Sequence, residues 1–229
     1  MEIHCNHHYK IYHKNIDAYW CFDCKMLISS YFFSKEEQRK YKECVAPPLW
    51  EELTPKRWKE ISPWTHISYE LAKKYHVYLG CLYDHEYIIL PVIRDNRLVF
   101  YSARIVGDRK PKYLTAKGCK KEYWVSSFEF SSLIFICEGV ADAIYMSQFG
   151  TSIALLGLHY NGSLDQLLKD KTIVICFDKD LAGECAALSL AGQLVSLCSI
   201  KFLSLEEDKD VTEFPSHEIR KVLDKTGIF

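Results

Sequence analysis

Three carboxylate groups in this chain each follow an apolar run. Glu138 and Asp142 come after Phe135-Ile-Cys, Asp178 and Asp180 after Ile173-Val-Ile-Cys-Phe177, and Asp210 ends the acidic stretch Glu206-Glu-Asp-Lys209-Asp210. Hard carboxylate oxygens meeting at one point suit Mg2+ or Mn2+ bound together with substrate phosphates. Two such cations ~3.5 to 4 Å apart activate a hydroxyl, align a phosphoryl group and neutralise its charge. A lone Asp-x-Asp would read as a turn or a helix-dipole partner. Three acidic strand ends in one register point instead to a metal site where Glu138, Asp178 and Asp180 meet.

A second cluster lies at the N-terminus. Cys5-x2-His8 and Cys21-x2-Cys24 form two pairs separated by twelve residues. Each two-residue gap lets a pair of ligands chelate from one turn, as tetrahedral zinc requires. A site with four protein ligands has no open position, so one structural Zn2+ is expected, folding a small module. His4, His7 and His13 stand near enough in sequence to substitute for His8, which is preferred for its spacing from Cys5. The chain has ten cysteines in 229 residues, too long and too apolar a sequence to need a disulfide framework. Cys137 and Cys176 sit inside apolar runs, where a thiol acts as a small hydrophobe.

The elements that would hold these groups follow from patterning. Hydrophobic residues make up 48% and charged residues 26%, which excludes disordered, collagenous and coiled-coil classes. Lys and Arg (29) nearly cancel Asp and Glu (30), so a polyanion site requires segregation of charge. Such segregation occurs between Arg94 and Glu122, with nine basic residues against three acids. Runs such as Leu133 to Cys137 are far short of the ~20 residues of a membrane helix, and a cytoplasmic protein without membrane partners is expected. Residues 1–44 read as the zinc module, 45–53 with Pro47-Pro48 as a linker, 54–130 as a basic, mainly β subdomain, and 131–229 as an α/β unit with a C-terminal helix. A capped charged helix is expected from Ser34 to Glu43 and an amphipathic one from Tyr69 to Tyr75. Strands are expected over Glu86–Ile93, Arg97–Val106 and Lys112–Leu114, with 94–97 as a hairpin turn. After Ser132 strands (Leu133–Cys137, Ser152–Leu156, Thr172–Phe177, Ile200–Leu203) alternate with helices (Val140–Phe149, Gly162–Lys169, Leu181–Leu197). Apolar strands alternating with helices imply a parallel sheet covered on both faces. The carboxyl ends of its strands open on one crevice, where Glu138, Asp178 and Asp180 should meet.

Glu-Gly-x-x-Asp after one strand, Asp-x-Asp-x-x-Gly after a later one and a further Lys-Asp resemble the Toprim domain of bacterial-type primases, type IA and II topoisomerases and some nucleases. The resemblance covers roughly residues 131 to 214. The paired half-sites, with Trp20 ahead of Cys21, are similar to the zinc ribbons of bacterial and phage primases. The stretch Leu90-Pro-Val-Ile-Arg94-Asp95, with Tyr101-Ser-Ala-Arg104 and Pro111-Lys112-Tyr113-Leu114, resembles the segment ahead of Toprim in those enzymes. The resemblance implies an α/β protein: a Toprim-type parallel sheet with helices on both faces, preceded by a small α+β subdomain and an N-terminal zinc ribbon. It further implies a compact primase of phage or mobile-element type without a helicase domain. Such an enzyme would make RNA primers from nucleoside triphosphates on single-stranded DNA presented by a separate replicative helicase. On this resemblance Asp178, Asp180 and Asp210 would hold two or more Mg2+ or Mn2+ ions, Glu138 would be a further ligand or the general base, Asp142 would orient its neighbours, Arg94, Arg104 and Lys112 would bind template or nucleotide phosphates, and Gly157 and Lys209 would support the site. The gap between zinc half-sites is shorter than in common family members. A Toprim nuclease explains less of the chain, and a non-catalytic recombination factor of the zinc-plus-Toprim kind would lack the Toprim acids retained here.

Overall fold

The computed structural model describes the backbone of residues 10–13, 18–21 and 26–29. From residue 44 onward it describes all but residues 96, 118, 128–130, 158, 159, 161, 163, 206–209 and 229. The N-terminal strands β1 (Lys10–His13), β2 (Ala18–Cys21) and β3 (Met26–Ser29) form an antiparallel meander in the order β1-β2-β3. Cys21 ends β2, paired with Lys10 on one side and Met26 on the other. The other expected zinc ligands, Cys5, His8 and Cys24, and the Ser34–Glu43 helix lie outside the described residues.

A second, antiparallel sheet has the order β4-β5-β6-β7-β8, formed by Leu49–Glu51, Tyr78–Leu82, His85–Arg94, Arg97–Ile105 and Tyr113–Thr115. Residues 49–51, within the stretch that two prolines suggested as a linker, thus belong to a sheet. Pro47 is buried, Cys81 donates its N–H to the Pro48 carbonyl, and the Tyr78 hydroxyl donates to that of Pro47. The prolines end a strand edge without needing N–H partners there. Between β4 and β5 lie α1 (Pro55–Ile61), a 3-10 turn (Ser62–Trp64) and α2 (Tyr69–Lys74). Thr54 and Ser68 cap the two helices, accepting from the N–H groups of Arg57 and Leu71 at 3.2 Å. In the β6–β7 hairpin Arg94 faces Arg97, and Asp95 takes a positive φ of 49° in the turn.

The third sheet runs in the order β13-β12-β10-β11-β9. Its strands are β9 (Trp124–Val125), β10 (Leu133–Cys137), β11 (Thr151–Ala154), β12 (Thr172–Cys176) and β13 (Ser199–Phe202), all parallel except β9. The helices α3 (Val140–Met146), α4 (Asp165–Leu168), α5 (Leu181–Leu194) and α6 (Ser216–Lys225) flank it. Successive strand side chains go to opposite faces. Phe135, Cys137, Val174 and Cys176 pack with α3 and α6, whereas Ile134, Ile136, Ile173 and Ile175 pack with Leu168 of α4 and Leu190 and Leu194 of α5. Both faces are therefore buried, as the unalternating strands required. The first of these cores continues without a break into Trp58, Ile88, Leu90 and Phe100 of the antiparallel subdomain. The α3 and α5 helices each end three residues before their apolar periodicity does. Their last turns close through i→i+3 bonds, Phe149 N–H to Met146 O at 3.0 Å and Leu197 N–H to Leu194 O at 2.8 Å.

Candidate metal and nucleotide site

Strand register places the acids. β10 and β12 are neighbours with Cys137 opposite Cys176, so the chain leaves both strands at the same edge. Glu138 follows the first directly and Asp178 the second by two residues. Asp180 caps α5, its Oδ1 accepting from the Gly183 N–H at 2.7 Å. Asp210 precedes the 3-10 turn Val211–Glu213 beyond β13, and lines a small crevice together with Cys176, Phe177 and Asp178. Asp142 lies in the first turn of α3. Gly183 is demanded by this arrangement: a Cβ there would stand 2.2 Å from the Asp178 carbonyl oxygen and 3.0 Å from Glu138 Oε1.

The carboxylates lie within electrostatic reach of one another. Burial first, and then the charges of Asp178, Asp180 and Asp210, raise the pKa of Glu138 against the opposing effect of the Asp178 backbone N–H. Asp178 is raised by burial, Asp210 and Asp180. Partly buried Asp142 is pushed up to about 8, by desolvation foremost and then by Asp178 and Asp210. Like charges gathered without compensation disfavour ionisation, and a cation placed among them reverses that. Glu138 Oε1 is buried and has no hydrogen-bond partner, a costly state for an ionised oxygen unless a ligand satisfies it. Among the described residues no group of three or more His, Cys, Asp or Glu side chains is drawn together tightly enough to enclose a metal. The donor set, all hard carboxylate oxygen with one orphaned atom, nevertheless fits Mg2+ or Mn2+.

The basic residues occupy three different situations. Arg94, 8% exposed, donates to the carbonyls of Ile93 at 2.9 Å and of Tyr123. Burial lowers its pKa to about 10 against the pull of Glu122 and Asp95. Its guanidinium ties the β6–β7 hairpin to the segment entering β9, rather than projecting from the surface as expected of a phosphate contact. Arg104, also 8% exposed, packs against two rings, its Cζ 5.4 Å from the centroids of both Trp64 and Tyr113. It donates to the carbonyls of Ile105 at 3.0 Å and Lys112 at 3.5 Å. Lys112 is exposed beside it. The Tyr113 phenol is raised to about 12, chiefly by burial and then by Asp142, with Arg104 opposing and Asp210 and Asp178 adding. Tyr113 is thus within electrostatic reach of Asp142, Asp210 and Asp178. Gly157 has φ 66° in the turn after β11, with Lys121 Nζ 3.6 Å from where its Cβ would be. Lys209 lies outside the described residues. Trp64 gave no signal in the sequence, because a tryptophan beside a proline reads as core.

The doubly covered parallel sheet with acids at the carboxyl ends of adjacent strands falls largely within residues 135–215, which match the family described as Toprim-like. Around that domain the chain is similar to DNA primases. It is 32% identical over 127 residues to the DNA primase of Pasteurella multocida, covering 47% of this chain and 22% of that protein. To the DNA primase of Clostridium acetobutylicum it is 30% identical over 142 residues, covering 56% of this chain and 24% of that one. The matched part thus spans about a quarter of the length of these relatives. The fold is shared with the Escherichia coli primase catalytic core, with a TM-score of 0.57 at 14% identity over 74% of this chain and 73% of that one. It is also shared with the primase fragment of the bacteriophage T7 primase-helicase protein, with a TM-score of 0.53 at 15% identity over 91% and 89%. These likenesses agree with the Toprim and primase resemblance carried by the sequence motifs.

Proposed function

We propose that this protein is a DNA primase that joins ribonucleoside triphosphates into short RNA primers on single-stranded DNA by metal-dependent nucleotidyl transfer. The observation that carries this reading is Glu138 at the end of β10 next to Asp178 beyond β12, both against Gly183 of α5, with Glu138 Oε1 buried and unpartnered. Glu138, Asp178, Asp180 and Asp210 would hold Mg2+ or Mn2+, which when bound lowers the pKa of the attacking 3′-hydroxyl and neutralises charge on the reacting phosphoryl group. Asp142, in the first turn of α3, orients its neighbours. Lys112 supplies a mobile positive charge toward the triphosphate, while Arg104 fixes the strand that carries Lys112. The basic run from Arg97 to Lys121 follows the template backbone. The N-terminal module, with Zn2+ held by Cys5, His8, Cys21 and Cys24, helps choose where synthesis starts, and a separate replicative helicase presents the template. Among the described residues no helix is long and apolar enough to cross a membrane, and the host cytoplasm is the proposed site of action.

The test is de novo synthesis from labelled nucleotides on a panel of short single-stranded templates with Mg2+ or Mn2+. The expected result is template-dependent oligoribonucleotides that disappear in Asp178→Asn. Template cleavage without synthesis would overturn the reading in favour of a Toprim nuclease, and template binding with neither activity in favour of a recombination factor.

A further inference from the structure

The Trp64–Arg104–Tyr113 stack contains more aromatic surface than holding one arginine requires. Arg104 already has two carbonyl partners and lies against Trp64. The guanidinium Cζ also lies 5.4 Å from the Tyr113 ring centroid, yet Tyr113 remains 47% exposed. One ring face is thus covered by a cation while the ring still presents surface to solvent. That surface is rigidly placed. Tyr113 is paired with Arg104 across β7 and β8, and the carbonyl of the preceding Lys112 accepts from Arg104. The turn carrying Trp64 continues from α1, whose Trp58 and Ile61 are buried. The phenol end lies within electrostatic reach of Asp142, Asp210 and Asp178. An exposed aromatic ring held at the border of an anionic site is suited to a planar, uncharged partner whose own charge lies elsewhere.

We propose that Tyr113 is a stacking platform for the nucleobase of the incoming nucleoside triphosphate, held in place by the Trp64–Arg104 pair, with the triphosphate directed to the carboxylates. This rests on the nucleotidyl-transfer reading above and adds to it a residue that positions the substrate base. Every base has a π-face, so the platform serves all four nucleotides and leaves sequence choice to the template. The ring orients the sugar and α-phosphate by holding the base, and Arg104 acts on the nucleotide through Tyr113 rather than by touching phosphate itself.

Base-on-aromatic stacking is worth a factor of roughly 5 to 150 in affinity. The test compares the full-length protein with Tyr113→Ala and Tyr113→Phe, measuring equilibrium binding of ATP, inorganic tripolyphosphate and a short single-stranded DNA in the presence of Mg2+. Tyr113→Ala is expected to weaken ATP binding by about ten-fold or more, leave tripolyphosphate unchanged, and raise KM for nucleotide more than it lowers kcat. Tyr113→Phe keeps the ring and should restore ATP binding. Equal loss of ATP and tripolyphosphate would show that the phenol serves the electrostatics of the site, and would overturn the platform. Loss confined to single-stranded DNA would assign the ring to a template base, also overturning it. Unchanged ATP affinity in Tyr113→Ala, with wild type binding normally, refutes the platform alone, whereas a wild type that binds no nucleotide refutes the primase reading beneath it. An unfolded Tyr113→Ala would be revealed by its circular dichroism, and Tyr113→Leu, apolar but without a π-face, would then replace it with the same expectations.

Discussion

Replacing Gly183 by alanine sets two effects of opposite sign against each other, and the geometry predicts which wins. Alanine in a helix is favoured over glycine by about 1 kcal/mol. At Gly183, however, the new Cβ would meet the Asp178 carbonyl oxygen at 2.2 Å and Glu138 Oε1 at 3.0 Å. A carbonyl is backbone and cannot rotate away, so the first turn of α5 must move by about 1 Å to reach ordinary contact. Overpacking of this kind costs ~1–3 kcal/mol. Gly192, in the same helix, supplies the control, since a Cβ there meets nothing within 4 Å. The propensity gain is common to both variants and cancels in the comparison, leaving the steric cost. Gly183→Ala should therefore be less stable than Gly192→Ala by ~1–3 kcal/mol, or about 2–12 °C in melting temperature. Urea denaturation and a thermal scan followed by circular dichroism measure it. Primer synthesis should fall on the order of a hundred-fold in Gly183→Ala, because the shift displaces Glu138 and Asp180 by an appreciable part of an ångström, while Gly192→Ala retains wild-type rates. Equal stability of the two variants, or full activity in Gly183→Ala, would refute the account of how α5 approaches the acids.

Glu138→Gln and Asp180→Asn, like Asp178→Asn, should abolish synthesis while the far-ultraviolet spectrum stays native, since each removes a charge and little volume; near-normal product from Glu138→Gln would contradict the metal assignment. The raised pKa of Asp142, about 8, means that the folded protein binds a proton which the unfolded chain releases above about pH 4. Without added divalent cation, stability should fall as pH rises from about 4 through about 8, and Asp142→Asn should lessen that fall in urea midpoints taken across the range. Lys112→Ala should weaken binding of single-stranded DNA and lower its log-log salt slope by about 0.7, as read from titrations at several salt concentrations. Elemental analysis should find about one zinc per chain, lost in a Cys21→Ser, Cys24→Ser double variant.

The α/β half was the most legible part of the sequence. Its central strands β10 and β12 are almost wholly apolar, so their type and their burial on both faces were given together, and four strands lie within a residue or two of their expected bounds. Acids at the ends of such strands could be placed because parallel strands share a direction. What stayed hidden depends on contacts between distant segments. The β4 strand is three residues long and exists because β5 offers it an edge. Arg94 stood out by its place in Leu90-Pro-Val-Ile-Arg94-Asp95 as a phosphate contact, and its bond to the carbonyl of Tyr123, 29 positions away, depends on a segment that the local sequence does not bring near. Trp64 and Tyr113 are 49 residues apart and acquire a joint role only when Arg104 packs against both. The reason for Gly183 was half visible in its place after Asp-x-Asp, but the collision with Asp178 required coordinates.

The core that runs unbroken from Trp58 and Phe100 through Phe135, Ile144 and Leu223 also governs how the protein can be divided. Cutting the chain near residue 130, where composition changes from β to α/β, would free an α/β piece with one sheet face covered by α4 and α5 and the other partly stripped. Val140, Ala143 and Ile144 pack in the core common to both parts, and Trp124, on the edge strand β9, would leave with the other fragment. The two parts are therefore one cooperative unit in the thermodynamic sense, melting together and failing together. A Toprim-like domain that stands beside other sequences must therefore cover this face with a different apolar partner, and the positions that change most between such proteins should be those of α3 that meet Trp58 and Phe100 here rather than the strand ends that carry the acids.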